Sequence, residues 1–223
     1  MNKIAAKNYN FSNVKFFTPM QLSEHYNLYT RYIDCLNKVN LEMTYSDTNE
    51  CNQNYSSTRS AQKSKSFCFD AIKLHELYFE NLTGNNTVIY GRAEEVIDEM
   101  FGSYSNFLEK FKCIALSMRG WVMLCFDKYN GEFYIYGQDS HDDGVMLYAE
   151  PLIVLDVYEH SYMIDYGTNR KPLTYNKLNN KLKEVSNMGF FHGNNVGGAS
   201  GSNLLFFFLL LVILFNQCDD IDL

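Results

Sequence analysis

Apolar side chains recur at helical spacing along three stretches before any strand pattern appears. From Gln21 to about Met43, Leu22, Tyr29, Tyr32, Ile33 and Leu36 lie near one stripe with His25, at offsets of −3, +4, +7, +8 and +11 from it. A second stripe runs from about Phe69 to Leu82, with Ala71, Leu74, His75, Tyr78, Phe79 and Leu82 on one face, and Thr83-Gly84-Asn85-Asn86 stops it. A third covers Ala93–Phe101 through Val96, Ile97 and Met100. Phe101-Gly102-Ser103 interrupts it, and Tyr104, Phe107, Leu108 and Phe111 resume it. Between the first two stripes, residues 44–66 are rich in Ser, Thr, Asn and Lys, which predicts a long loop or a solvated helix.

After Gly120 the period changes. Trp121–Phe126 and Phe133–Tyr136 are aromatic-rich runs joined through Asn130-Gly131, whose glycine supplies the positive φ that a tight turn needs. Pro151–Leu155 is short and nearly all apolar, as expected of a strand buried on both faces. Helices first and strands afterwards predict an α+β fold: an N-terminal helical hairpin followed by a small three-stranded antiparallel sheet with flanking helices. The organisation divides as 1–66, an N-terminal helical region with a polar loop; 67–190, a C-terminal α+β region; and 191–223, a Gly/Ser/Asn linker with a short apolar tail. The tail's twelve apolar residues, 204–215, reach only about 18 Å as a helix, against a hydrocarbon core of about 30 Å.

Composition narrows the class. With 46% hydrophobic residues, 17 Phe, 17 Tyr and one Trp, the body of the chain can fill a core. The formal charge of −7 carries no basic cluster, which argues against a nucleic-acid partner. Residues 1–9 are polar and lack the apolar stretch of a signal peptide, so a cytoplasmic protein is expected. The six cysteines form no Cys-x-x-Cys pair, and in that compartment reduced, mostly buried thiols are expected.

Five histidines carry the candidate chemistry. His25 and His75 sit on apolar helix faces among aromatics, and Asp156-Val-Tyr-Glu-His160 closes the buried strand. Each alone reads most simply as a satisfied core residue, and Asp156 as a helix N-cap. Together, three imidazoles and one carboxylate make a ligand set for a first-row transition metal. An oxygenase site built on two His and one carboxylate is a further reading of such a set.

His75-Glu-Leu-Tyr-Phe-Glu-Asn-Leu82, Phe101-Gly-Ser103, Gly120-Trp121 and Asp156-Val-Tyr-Glu-His-Ser-Tyr162 resemble the iron/manganese superoxide dismutases, in order and spacing, over roughly residues 14–172. The resemblance implies one Mn or Fe ion per subunit, held by His25, His75, Asp156 and His160. It makes 67–190 the metal-binding region and disfavours the oxygenase reading. It implies Tyr32 as the gateway tyrosine, with Trp121, Phe79 and Tyr158 as aromatic walls. The implied activity converts superoxide to oxygen and hydrogen peroxide by one-electron cycling of the metal.

The family uses a Gln or His to hydrogen-bond the metal's solvent; here Gln138 and His141 both qualify, with His141 preferred. Glu159 is implied to bridge to the partner subunit's His160 position, and hence a homodimer, with pairing into a tetramer left open. Three departures stand out. Tyr32 follows His25 by seven residues, where the family commonly has eight; Met163 replaces a tyrosine; and the segment after Arg170 matches poorly. The polar 44–66 segment, the poor match after Arg170 and the apolar tail motivate an alternative: a spore-coat or surface-associated structural protein on the same fold with weak activity, attached to a coat or membrane surface through residues 204–215.

Overall fold

The computed structural model describes residues 3–12, 14, 16–82, 92–127, 129–144 and 149–168, with the backbone alone for 92–96. The linker, the apolar tail and the poorly matching segment after Arg170 fall outside the described residues. Helix α1 spans Pro19–Thr44 and α2 spans Ser57–Glu80. Helices α3, Arg92–Phe101, and α4, Tyr104–Ser117, precede strands β1, Trp121–Asp127, β2, Glu132–Gln138, and β3, Ala149–Asp156. A 3₁₀ turn at Glu159–Ser161 and the short α5, Met163–Tyr166, follow.

The α+β architecture matches expectation: a helical hairpin, then a three-stranded antiparallel sheet in the order β2-β1-β3. The main difference lies in α2, which starts twelve residues before the apolar stripe. Ser56 caps it by accepting from Arg59 N, and its first turns are polar because they stand clear of the core. Half of the 44–66 stretch is therefore helix, and the boundary placed at residue 66 falls inside α2. The break between α3 and α4 is where the sequence put it. Gly102 takes φ 81°, and Ser103 caps α4 by accepting from Asn106 N at 3.1 Å.

Helix α1 begins at Pro19, with Thr18 capping Gln21 N. Thr18 also donates to Asp165 Oδ1 at 2.6 Å, which ties the start of α1 to α5. In the sheet, β1 is central and buried from Trp121 to Phe126. Its register sets Trp121 opposite Gln138 on one side and Asp156 on the other. Strand β3 is an edge strand that tolerates Pro151; the register shifts between Leu124 and Cys125, where β3 runs from Ile153 to Pro151 and leaves Leu152 over as a bulge. Its second half, Leu152–Asp156, is buried. Of the five described cysteines only Cys68 and Cys125 are buried, while Cys51 and Cys113 are exposed, so the expectation of mostly buried thiols fails. Among the described residues no helix is long and apolar enough to cross a membrane.

Candidate metal centre

Four elements converge on one point. α1 supplies His25, α2 supplies His75, the last residue of β3 is Asp156, and the 3₁₀ turn presents His160. Each of these residues offers one ligating atom, and the four atoms lie within 4.8 Å of one another. Asp156 Oδ2 is 3.0 Å from His25 Nε2, 3.0 Å from His160 Nε2 and 3.7 Å from His75 Nε2. The carboxylate's other oxygen accepts from Tyr158 N at 2.9 Å. Asp156 is therefore not a helix N-cap, a position that falls to Tyr158; one carboxylate oxygen orders the turn after β3, and the other faces the imidazoles.

The donor set fits a metal ion. His75 Nδ1 donates to Ala71 O at 2.7 Å, which leaves Nε2 as the lone-pair nitrogen aimed inward. That Nε2 is buried with no hydrogen-bond partner, an arrangement that costs free energy unless something electropositive sits beside it. Burial, helped by His25, pushes the His75 imidazolium well below the ordinary value, so the ring is neutral. Burial would raise the Asp156 carboxyl, but the His160 and His25 rings overcome it and hold the group well below the usual carboxylate range. Three imidazole nitrogens and one carboxylate oxygen are a donor set that suits iron or manganese, and the cluster is able to hold such an ion.

Around the cluster stand rings. The Trp121 ring centroid lies 5.1 Å from that of His75, Phe79 lies 5.2 Å from His25, and Tyr158 lies 5.0 Å from His160. Trp121 Nε1 donates to His141 Nδ1 at 2.9 Å. An indole can only donate, so Nδ1 is the acceptor, and neutral His141 carries its proton on Nε2. That proton is directed at Tyr32 Oη, 3.0 Å away. Burial lowers the His141 pKa to about 4, and burial, then the Asp156 charge, raises Tyr32 to about 12. Gln138 does something else: its Nε2 donates to the carbonyls of Ser140, 2.8 Å, and His141, 3.0 Å. It shapes the loop that carries His141. Glu159 is exposed on the chain's surface next to His160.

Sequence reading missed three contributors. Gln21, 1% exposed, donates from Nε2 to His160 O at 2.6 Å and accepts from Ile164 N at 3.1 Å, locking the ligand turn onto α1. Its signal was available: an amide four residues before His25, on the same helix face. Asn81 Oδ1 accepts from Val154 N at 2.8 Å and joins α2 to β3. Phe67 packs on the His141 ring at 4.8 Å.

A helical hairpin and a three-stranded sheet that share one buried His₃Asp cluster define a mononuclear metalloprotein. Residues 90–183 match the model of the iron/manganese superoxide dismutases, C-terminal domain. Among curated proteins, the chain is 30% identical over 165 residues to the superoxide dismutase [Fe] of Aquifex pyrophilus, covering 72% of this chain and 78% of that one. The superoxide dismutase [Fe] of Aquifex aeolicus gives the same identity and coverage. The superoxide dismutase [Mn] 1 of Halobacterium salinarum is 32% identical over 99 residues, 44% of this chain and 49% of that one. The chain belongs to the iron/manganese superoxide dismutase family.

Proposed function

We propose that this chain dismutates superoxide, two superoxide anions and two protons giving oxygen and hydrogen peroxide, at an iron or manganese ion held by His25, His75, Asp156 and His160. The observation that carries this reading is the convergence of those four ligating atoms in a buried, aromatic-walled place. The ion would supply the one-electron cycling between oxidation states.

The chain's own residues supply the rest. His25, His75 and Asp156 are buried on packed elements, so the geometry is set before any ion enters. Trp121, Tyr158 and Phe79 exclude water and larger anions. Peroxide formation consumes protons, and the Tyr32 phenol, oriented by His141 and through it by Trp121, is placed to deliver one. With His141 Nε2–H directed at the Tyr32 oxygen, the phenol's own proton is free to point toward the cluster. Tyr32 therefore acts as the proton donor at the pocket, His141 sets its orientation, and Gln138 positions His141 through the loop.

Glu159 fits a bridging role across a two-fold axis. Among the four cluster side chains, only that of His160 is open, 27% exposed, and Glu159 lies beside it. A second copy of the chain would cover both and give each imidazole a carboxylate behind it, which fixes its tautomer and raises its basicity. The test of the activity is reconstitution of metal-free protein with iron or with manganese, followed by a dismutation assay. Turnover proportional to metal occupancy supports the reading; a metal-replete protein with no dismutation removes it.

A further inference from the structure

Cys35 on α1 and Cys68 on α2 meet, with their sulfurs 2.8 Å apart and the Cys68 thiol donating to Cys35 Sγ. This is closer than ordinary contact between two sulfurs, and a short swing of either side chain would bring them to a disulfide's bond length of about 2.05 Å. Cys35 is half-buried and Cys68 buried. Both line an open cavity of about 610 Å³ that Tyr32 and Phe67 also line. Those two rings pack against His141 from that side, at 5.0 Å and 4.8 Å. The thiol pair thus opens onto the same space as the gateway tyrosine.

The geometry points to Cys35 and Cys68 as a peroxide-oxidised dithiol that closes to a disulfide between the two helices. The oxidant is the product of the dismutation proposed above, and in that respect the inference rests on that reading. Cys35, the more open thiol, attacks one oxygen of hydrogen peroxide as its thiolate; the O–O bond breaks, and Cys35 becomes a sulfenic acid while hydroxide takes up a proton to leave as water. The Cys68 sulfur then attacks the Cys35 sulfur, the S–O bond breaks, and the departing hydroxide takes the Cys68 proton. Two thiols and one peroxide give one disulfide and two waters. Burial raises the Cys68 thiol to about 12, so it stays protonated and leaves first contact with the oxidant to the more open Cys35; its 2.8 Å contact with Cys35 Sγ is what places it for the second step.

The placement gives the bond a consequence. Cys35 is one helical turn beyond Tyr32, and Cys68 is two turns before His75. A bridge here fastens the two helices that carry His25 and His75.

Full-length protein with its metal, reduced and then freed of reductant, is treated with a small molar excess of hydrogen peroxide, alkylated and digested for mass mapping. In most chains the expected product is a Cys35–Cys68 linked peptide two hydrogens lighter than its parts, with exposed Cys51 and Cys113 alkylated. The link is lost in Cys35→Ser, which keeps its dismutase activity. Oxidation of Cys35 to sulfinic acid with Cys68 still alkylated, or alkylation of both while Cys51 or Cys113 is consumed, overturns the proposal. A dismutation assay on the same reduced preparation separates the two readings. A linked peptide from an inactive protein keeps the dithiol and removes the activity, and an active protein that forms no link does the reverse.

Discussion

Trp121 Nε1 donates to His141 Nδ1 across 2.9 Å, and that bond decides which nitrogen of His141 faces Tyr32. Because indole has no acceptor, the polarity of the chain from Trp121 to Tyr32 is fixed in one direction. Replacing His141 with Ala should lower turnover by about 10–100-fold while metal content stays near that of the parent. His141→Gln should recover part of the loss, since a side-chain amide can accept from Trp121 and donate to Tyr32. Gln138→Ala should cost less turnover than His141→Ala, because it loosens the loop without removing the contact to Tyr32. Turnover per bound metal checks the ranking; a Gln138 variant worse than the His141 variant would transfer the role to Gln138.

Gly120 is required where β1 meets the His141 loop. A Cβ there would stand 2.7 Å from Gln138 O and 3.0 Å from Asp139 C, both backbone atoms. Its own carbonyl accepts from Val157 N at 2.9 Å, immediately after Asp156. Gly120→Ala should therefore destabilise the protein by about 1–3 kcal/mol and displace both sides of the site together. Thermal unfolding and turnover should fall in parallel; an unchanged melting temperature would show that the loop yields without cost.

One imidazole of the cluster, His75, and one beside it, His141, make stability depend on pH. His75 lies well below 6.5 in the folded chain and His141 lies at about 4, both through burial. Below pH 6.5 the unfolded chain takes up protons that the folded chain refuses, so stability is lost as pH falls from the ordinary imidazole value toward the folded ones. One unit below that value, each neutral imidazole costs about 1.4 kcal/mol. Bound metal adds to the trend, because its ligands must stay deprotonated. The melting temperature should drop between about pH 7.5 and about pH 5.5. A flat or rising profile would contradict the neutral assignment.

On the proposed bridging role, in which one carboxylate would serve both the interface and His160, Glu159→Ala should weaken self-association and lower metal occupancy together. Sedimentation at micromolar concentration should show a shift toward the monomer mass. A fully loaded, undiminished oligomer would leave Glu159 as a surface carboxylate.

Most of the cluster was legible in the sequence, for physical reasons. A buried histidine among aromatics stands out on a helical stripe, and seven residues return Tyr32 to within about 20° of the face of His25. The start of α2 was not legible. Its first turns, from Ser57 to Ser66, bury almost nothing, so no hydrophobic period marks them, and only the Ser56 cap signals the helix. The choice between Gln138 and His141 was likewise closed to sequence. Both lie in one polar run, and only the register that seats Gln138 beside Trp121 turns its amide onto the loop carbonyls and leaves His141 to reach the indole.

The central claim is that His25, His75, Asp156 and His160 hold one redox-active ion. The most direct test compares metal bound per chain in the parent and in His75→Ala, each shown to be folded by circular dichroism and assayed for dismutation. The parent should carry about one iron or manganese ion per chain, and the variant should carry almost none and be inactive, because losing one of four ligands opens the site. Full metal content and activity in a folded His75→Ala protein would contradict the account.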